Sequence, residues 1–199
     1  MLTTGNDGTA TSNLLPKGTY YVKETGGTLN GNAAWKCDVD RETASVTIGS
    51  TTTVNFSNDH YGKLSLIKDT NTGANKDNWV FTVYTDANCT QIAKYKNGNN
   101  ATLTTGTDGR ATSDYLLPGT YYVKETGGTR YNDPYWVVST EVKTVTVVAG
   151  NVTAVSGGSY MNYHHGRITI QKEMATTGPL NGWNFIVYTD EACTTVALD

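Results

Sequence analysis

The sequence predicts an all-β protein built as tandem Ig-like β-sandwich repeats, one complete domain flanked by two complementary partial domains. Three observations predict it. Short runs of β-branched and aromatic residues alternate with polar ones between Gly/Asn/Asp clusters, and no segment sustains a helical period. The word Tyr-Tyr-Val-Lys-Glu-Thr-Gly-Gly occurs at 20–27 and again at 121–128. The word Trp79-Val80-Phe81-Thr82-Val83-Tyr84-Thr85-Asp86 returns, slightly altered, as Trp183 to Asp190.

Taken in order, Leu2-Thr3-Thr4-Gly5 with Asp7-Gly8 matches Leu103-Thr104-Thr105-Gly106 with Asp108-Gly109, a turn in both copies. Leu14-Leu15-Pro16-Lys17-Gly18 and Leu116-Leu117-Pro118-Gly119 are turns that launch a strand. With a period of two, Tyr121, Val123 and Glu125 share one face, and Glu24 holds the matching place in the earlier copy. Val54, Phe56 and Asn58 share the core face of the strand that closes the first repeat, and Asn162 matches Asn58. Leu64, Leu66 and Lys68 share a face over 63–69, as do Ile168, Ile170 and Lys172 in the copy. Gly157-Gly158 predicts a bulge in the strand from Val152 to Asn162.

These matches divide the chain. Residues 62–165 form one complete repeat, residues 1–61 correspond to its later part, and residues 166–199 correspond to its beginning. Lys94 to Ala101 reads as a linker with no counterpart at either end. Met1 runs straight into polar turn sequence without a signal peptide, and the natural context is expected to extend further at both ends.

Composition excludes several function classes. The net charge of −3 comes without a basic patch, which argues against nucleic acid as a partner. No apolar run is long enough to span a bilayer. Cys37, Cys89 and Cys193 are an odd count without a CxxC pair or a histidine at ligand spacing, so neither a metal site nor a cofactor is expected. His60, His164 and His165 lie where one repeat hands over to the next and read as junction residues. Trp35, Trp79, Trp136 and Trp183 fall mostly on strand positions that packing explains.

Each repeat thus directs a lysine, a glutamate and an asparagine into its core, and burying all three is expensive. Chemistry relieves that cost. Burial lowers the lysine pKa and leaves neutral, nucleophilic amine, while burial raises the carboxyl pKa. Glu125 can then lend a proton to the Asn162 carboxamide oxygen and later pass protons to departing ammonia. The product is a neutral amide between the Lys68 and Asn162 side chains.

The signature Gly62-Lys63-Leu64-Ser65-Leu66-Ile67-Lys68-Asp69, then Phe81 to Tyr84, Asp108-Gly109, Leu117 to Thr126 and the terminal Asn162 resembles the Cna B-type domains of Gram-positive surface adhesins and pilins. These are also called SpaA-like or prealbumin-like. The resemblance covers the chain once, plus the two partial repeats. It implies a prealbumin-like sandwich closed by an autocatalytic Lys–Asn isopeptide bond with the glutamate as catalyst. Carried over, Lys68, Glu125 and Asn162 form the middle set. Glu24 and Asn58 belong to the first domain and Lys172 to the third. The sequence departs from the family at Thr126-Gly127-Gly128, where a Pro-containing turn is common.

The resemblance implies a secreted protein, attached to the Gram-positive cell wall as part of a longer parent. Its role would be that of a rigid stalk or fibre module that turns over no substrate and is therefore not an enzyme. The complementary partial repeats add self-association, with 166–199 of one molecule meeting 1–61 of the next, head to tail. A composite domain of that kind brings Cys193 toward Cys37, a candidate disulfide. The alternative is an adhesin domain that binds a host protein or glycan, although no long loop insertion interrupts the repeat.

Overall fold

Alternating branched and aromatic residues set the secondary structure of the computed structural model, which describes residues 1–38 and 40–197. Among these residues every regular element is a strand. The chain divides into two units, Met1–His165 and Gly166–Asp199.

In the first unit, residues 1–61 carry β1 (Gly18–Lys23), β2 (Trp35–Lys36), β3 (Arg41–Val46) and β4 (Asp59–His60). Strand β1 pairs antiparallel with β3, and β2 with β4. Residues 62–165 carry β5 (Lys63–Thr70), β6 (Trp79–Tyr84), β7 (Thr102–Thr104), β8 (Arg110–Thr112), β9 (Gly119–Gly128), β10 (Trp136–Val137), β11 (Val142–Val147), β12 (Val152–Ala154) and β13 (Tyr160–His164). These nine form two sheets. One has the order β10-β13-β5-β12, with β8 also on β5, and the other has the order β11-β9-β6-β7. Leu64 and Leu66 of the first sheet meet Phe81, Val83, Val123 and Val147 of the second in a sealed core. This alternation of buried and exposed positions is what one solvated face per sheet requires. Among the described residues, no strand ladder joins 1–61 to 62–165.

Strand β5 is the spine of the first sheet. It pairs antiparallel with β8 through Ser65 to Ile67, and parallel with β12 and then β13. The expected bulge at Gly157-Gly158 is instead a break between β12 and β13. Both glycines have positive φ, at 82° and 76°, and Lys143 Nζ donates to the carbonyls of Gly157, Gly158 and Ser159 at 2.7, 3.3 and 2.9 Å. Strand β13 then restarts with Asn162 opposite Thr70.

Thr126-Gly127-Gly128, where the sequence departs from the family's Pro-containing turn, continues β9, with Gly128 paired to Trp79. A side chain at Gly128, whose φ is 134°, would collide with the Asn78 carbonyl. Lys94 to Ala101 is a hairpin rather than a linker. Lys94 bridges Asn100, and both Ala93 and Ala101 hydrogen-bond Val83 at 2.9 Å. Its Lys96 Nζ donates to Ala33 O at 2.8 Å and Trp35 O at 2.6 Å, where Trp35 stacks on His60 with ring centroids 4.0 Å apart. Finally, Val54 to Asn58 is not a strand. Its counterpart β13 owes its ladder to β5, and residues 1–61 contain no equivalent of β5.

In the second unit, the only pairing among the described residues is the Tyr188–Val196 bridge. Ile168, Trp183 and Phe185 are 72, 53 and 52% exposed, whereas their matched residues Leu64, Trp79 and Phe81 are fully buried.

Candidate functional site

The period-two alternation that buries Leu64 and Leu66 carries Lys68 into the core from β5. Its strand is held in place by Gly109. The Lys68 N–H donates to Gly109 O at 2.7 Å, and an added Cβ at Gly109 would overlap the Lys68 carbonyl. On the facing sheet, β9 carries Glu125 inward after Tyr121 and Val123. A register shift opposite Val80 and Phe81 ends the regular alternation just after Glu125, leaving Thr126 as the extra residue. Thr126 bonds Thr82 through their hydroxyls at 2.7 Å. Asn162 enters from β13, two residues after Tyr160, whose hydroxyl donates to Val123 O at 2.7 Å.

Lys68, Glu125 and Asn162 are each 0% exposed. Lys68 Nζ donates to Asp69 O at 2.6 Å and Tyr160 O at 3.2 Å, and lies 5.1 Å from the Trp79 ring. It stands 3.9 Å from Glu125 Oε2, an oxygen without a hydrogen-bond partner. Glu125 Oε1 accepts from Asn162 Nδ2 at 2.6 Å, and Asn162 Oδ1 accepts the Ser139 N–H at 2.7 Å. Burial lowers the Lys68 pKa to about 8, against the opposing pull of Glu125 and Asp69. Burial raises that of Glu125, against the Asn162 hydrogen bond and the Lys68 charge.

The site differs from the sequence expectation in one respect. Glu125 faces the amide nitrogen of Asn162, not its oxygen. A main-chain N–H can only donate, so Ser139 fixes the oxygen on its own side and turns the nitrogen toward the carboxyl group. Ser139 was invisible in the sequence because its contribution is a backbone group.

The other predicted residues occupy two partial copies of this arrangement. In residues 1–61, Asn58 Nδ2 donates to Glu24 Oε1 at 3.2 Å, and Asn58 Oδ1 accepts the Asp38 N–H at 2.7 Å. Glu24 is half-buried and Asn58 exposed. In the second unit, Lys172 Nζ donates to Glu173 O and lies 5.1 Å from the Trp183 ring. Cys37, Cys89 and Cys193 are free thiols in the single chain, with Cys37 Sγ 3.9 Å from Asn30 Oδ1 and Cys193 Sγ 3.8 Å from Glu191 O; the candidate Cys37–Cys193 disulfide belongs to a composite domain built from both chain ends. Among the described residues no His/Cys/Asp/Glu cluster could hold a metal ion.

A two-layer sandwich with an amine on its first strand, a carboxamide on its last and a carboxyl group between them defines a class of domain: one whose core holds the parts of an amide bond. Residues 62–159 match the model of the SpaA family, described as a prealbumin-like fold domain. Among solved structures, the chain is similar to GBS52, the minor pilin of Streptococcus agalactiae. The two share 20% identity and a TM-score of 0.41 over 86% of this chain and 71% of that one. It is also similar to a streptococcal ancillary pilin, with 23% identity and a TM-score of 0.39 over 77% of this chain and 44% of that one. A third is the full-length major pilin SpaD of Corynebacterium diphtheriae, with 18% identity and a TM-score of 0.36 over 53% of this chain and 30% of that one. No curated relative matches the chain by sequence.

Proposed function

We propose that residues 62–165 form a load-bearing stalk module of a Gram-positive surface protein, secreted and wall-attached as part of a longer parent, and closed by an amide bond between Lys68 and Asn162. The observation that carries this reading is the sealed triad. Three fully buried polar side chains from both sheets converge, and the Asn162 amide is held at both ends.

The step balances as a transamidation. A proton moves from the Lys68 ammonium to the Glu125 carboxylate, leaving a neutral amine and a neutral acid. The amine lone pair attacks Asn162 Cγ, forming the new C–N bond while the carbonyl oxygen takes up charge against the Ser139 N–H. Glu125 delivers a proton to Nδ2, and the Cγ–Nδ2 bond breaks. The carboxylate then accepts the surplus proton of the new amide nitrogen, which leaves Glu125 a neutral acid, and Nδ2 departs as ammonia. A low local dielectric favours the neutral pair over the ion pair, so the burial that makes the triad costly also makes it reactive. The domain reacts once with itself and turns over no substrate.

Intact mass under denaturing, reducing conditions tests the reading. The expected monomer is one ammonia lighter than the sequence mass, and Asn162→Ala restores the sequence mass expected for that variant. An unmodified wild-type mass overturns it.

A further inference from the structure

We propose that Lys143 is a positioning residue for bond formation, fixing the spacing between Glu125 and Asn162 without touching either. This rests on the chemistry proposed for Lys68 and Asn162.

Counting back by twos from the buried Val147 and Val145 leads to Lys143, which places this lysine on the inward face of β11. Its side chain is 10% exposed, against 62% for Glu141, whose Oε2 lies 3.3 Å from Nζ. An ammonium turned inward needs acceptors for its N–H groups. Lys143 finds them across the sandwich, in the break between β12 and β13. There the positive φ of Gly157 and Gly158 accompanies three successive carbonyls, those of Gly157, Gly158 and Ser159, that all accept from Nζ. Nζ also lies 4.9 Å from the centre of the Tyr160 ring. One side chain thus ties the edge strand of the second sheet to the start of the strand that carries Asn162 in the first.

The tie acts one step before the site. Lys143 pairs with Val123 in the β11–β9 ladder, and Val123 O accepts the Tyr160 hydroxyl at 2.7 Å. Tyr160 is therefore held by its hydroxyl from β9 and by its ring face from β11. Two residues further along each strand, the next inward pair is Glu125 and Asn162, 2.6 Å apart. Tyr160 also bears on the amine, because its carbonyl accepts from Lys68 Nζ at 3.2 Å. Without Lys143, three carbonyls lose their shared donor, and two glycines with wide backbone freedom are left to set where β13 begins. The apolar core closes on Val145 and Val147 and does not include Lys143, so the loss falls on the placement of β13.

The test pairs a rate with a local probe. The time course of ammonia loss after refolding, read by intact mass, is expected to be slower by about 10²-fold in Lys143→Met than in the wild type, the cost of a small misplacement of reacting groups. The probe is hydrogen exchange of the Asn162 side-chain amide, followed by NMR in Lys68→Met, which cannot form the bond. Adding Lys143→Met is expected to remove the protection of that amide while the backbone amides of Phe81 and Val83 stay protected. An unchanged rate, or a slower rate with the Asn162 amide still protected, overturns this proposal and leaves the stalk reading intact. Loss of protection at Phe81 and Val83 as well makes Lys143 a general support of the fold and also overturns it. A wild type of full sequence mass overturns the bond itself, and this proposal with it.

Discussion

The Asn162 amide nitrogen lies 2.6 Å from Glu125 Oε1, deep between the two sheets, and the Ser139 N–H on the far side of the amide fixes that orientation. In the proposed amide-forming reaction, this places Glu125 to serve the leaving group. Replacing it by Gln keeps the shape and removes the proton carrier. Glu125→Gln is expected to slow ammonia loss by about 10²–10⁴-fold, the usual range for a positioned acid or base, in a time course of intact mass after refolding.

The pH dependence of bond formation follows from two opposed shifts. Lys68 is lowered to about 8 and Glu125 is raised above the ordinary carboxyl value. The neutral amine and neutral acid together hold one proton, as does the ion pair they exchange with. Below the raised Glu125 pKa both groups are protonated and the amine is blocked. Above about 8 the shared proton is gone and no acid remains. The rate is expected to be flat between these limits and to fall on both sides, measured by refolding across pH.

Stability before bond formation carries its own signature. In Asn162→Ala, which cannot react, the folded Lys68 binds its proton less tightly than the unfolded chain does. The unfolded state therefore holds more protons between about 8 and the ordinary lysine value of 10.5, and stability from this group rises with pH across that window. The penalty is fully present below about 8. In the bonded wild type Lys68 no longer titrates, and the alkaline rise is expected to vanish. Urea unfolding at several pH values distinguishes the two.

Much of this site was legible as alternation. Counting by twos from Leu64 reaches Lys68, and from Tyr121 reaches Glu125, and the structure buries both completely. The Asp108-Gly109 turn was legible as a motif but not as a support for Lys68, because that role depends on which carbonyl lies against it. The Ser139 donor and the extra Thr126 depend on register between strands, which residue type does not encode. The hairpin at 94–101 escaped because its pairing is with Val83, far from it in the pattern of repeats. Val54 to Asn58 misled for the opposite reason: its alternation is strand-like, but a strand needs a partner as well as a pattern.

Gly109 offers a test of that support. Its φ of 76° is unfavourable for any side chain, and a Cβ would strike the Lys68 carbonyl. Gly109→Ala is expected to cost about 1–3 kcal/mol and to slow bond formation by displacing β5, whereas Gly8→Ala, at the matching turn with open space around it, should leave the bond rate unchanged. Thermal unfolding and intact mass report the two effects separately.

Lys96 is the handle on the junction between residues 1–61 and the complete domain. Lys96→Ala removes the two hydrogen bonds to Ala33 O and Trp35 O, leaving the Trp35–His60 stack behind. Small-angle scattering is expected to show a broader distribution of interdomain distances, with the melting of 62–165 unchanged.

The parallel pairing of β5 with β13 has a consequence for the length of the molecule under tension. Lys68 is carried by the strand through which the chain enters the sandwich, and Asn162 by the strand through which it leaves. Once they are joined, everything from Asp69 to Met161 hangs as a closed loop beside the line of pull. That loop would otherwise release on the order of 300 Å of slack at about 3.3–3.6 Å per residue. The bonded domain gives up almost none of it, so a filament of such modules would keep its contour length even when the sheets between the bonds have come apart.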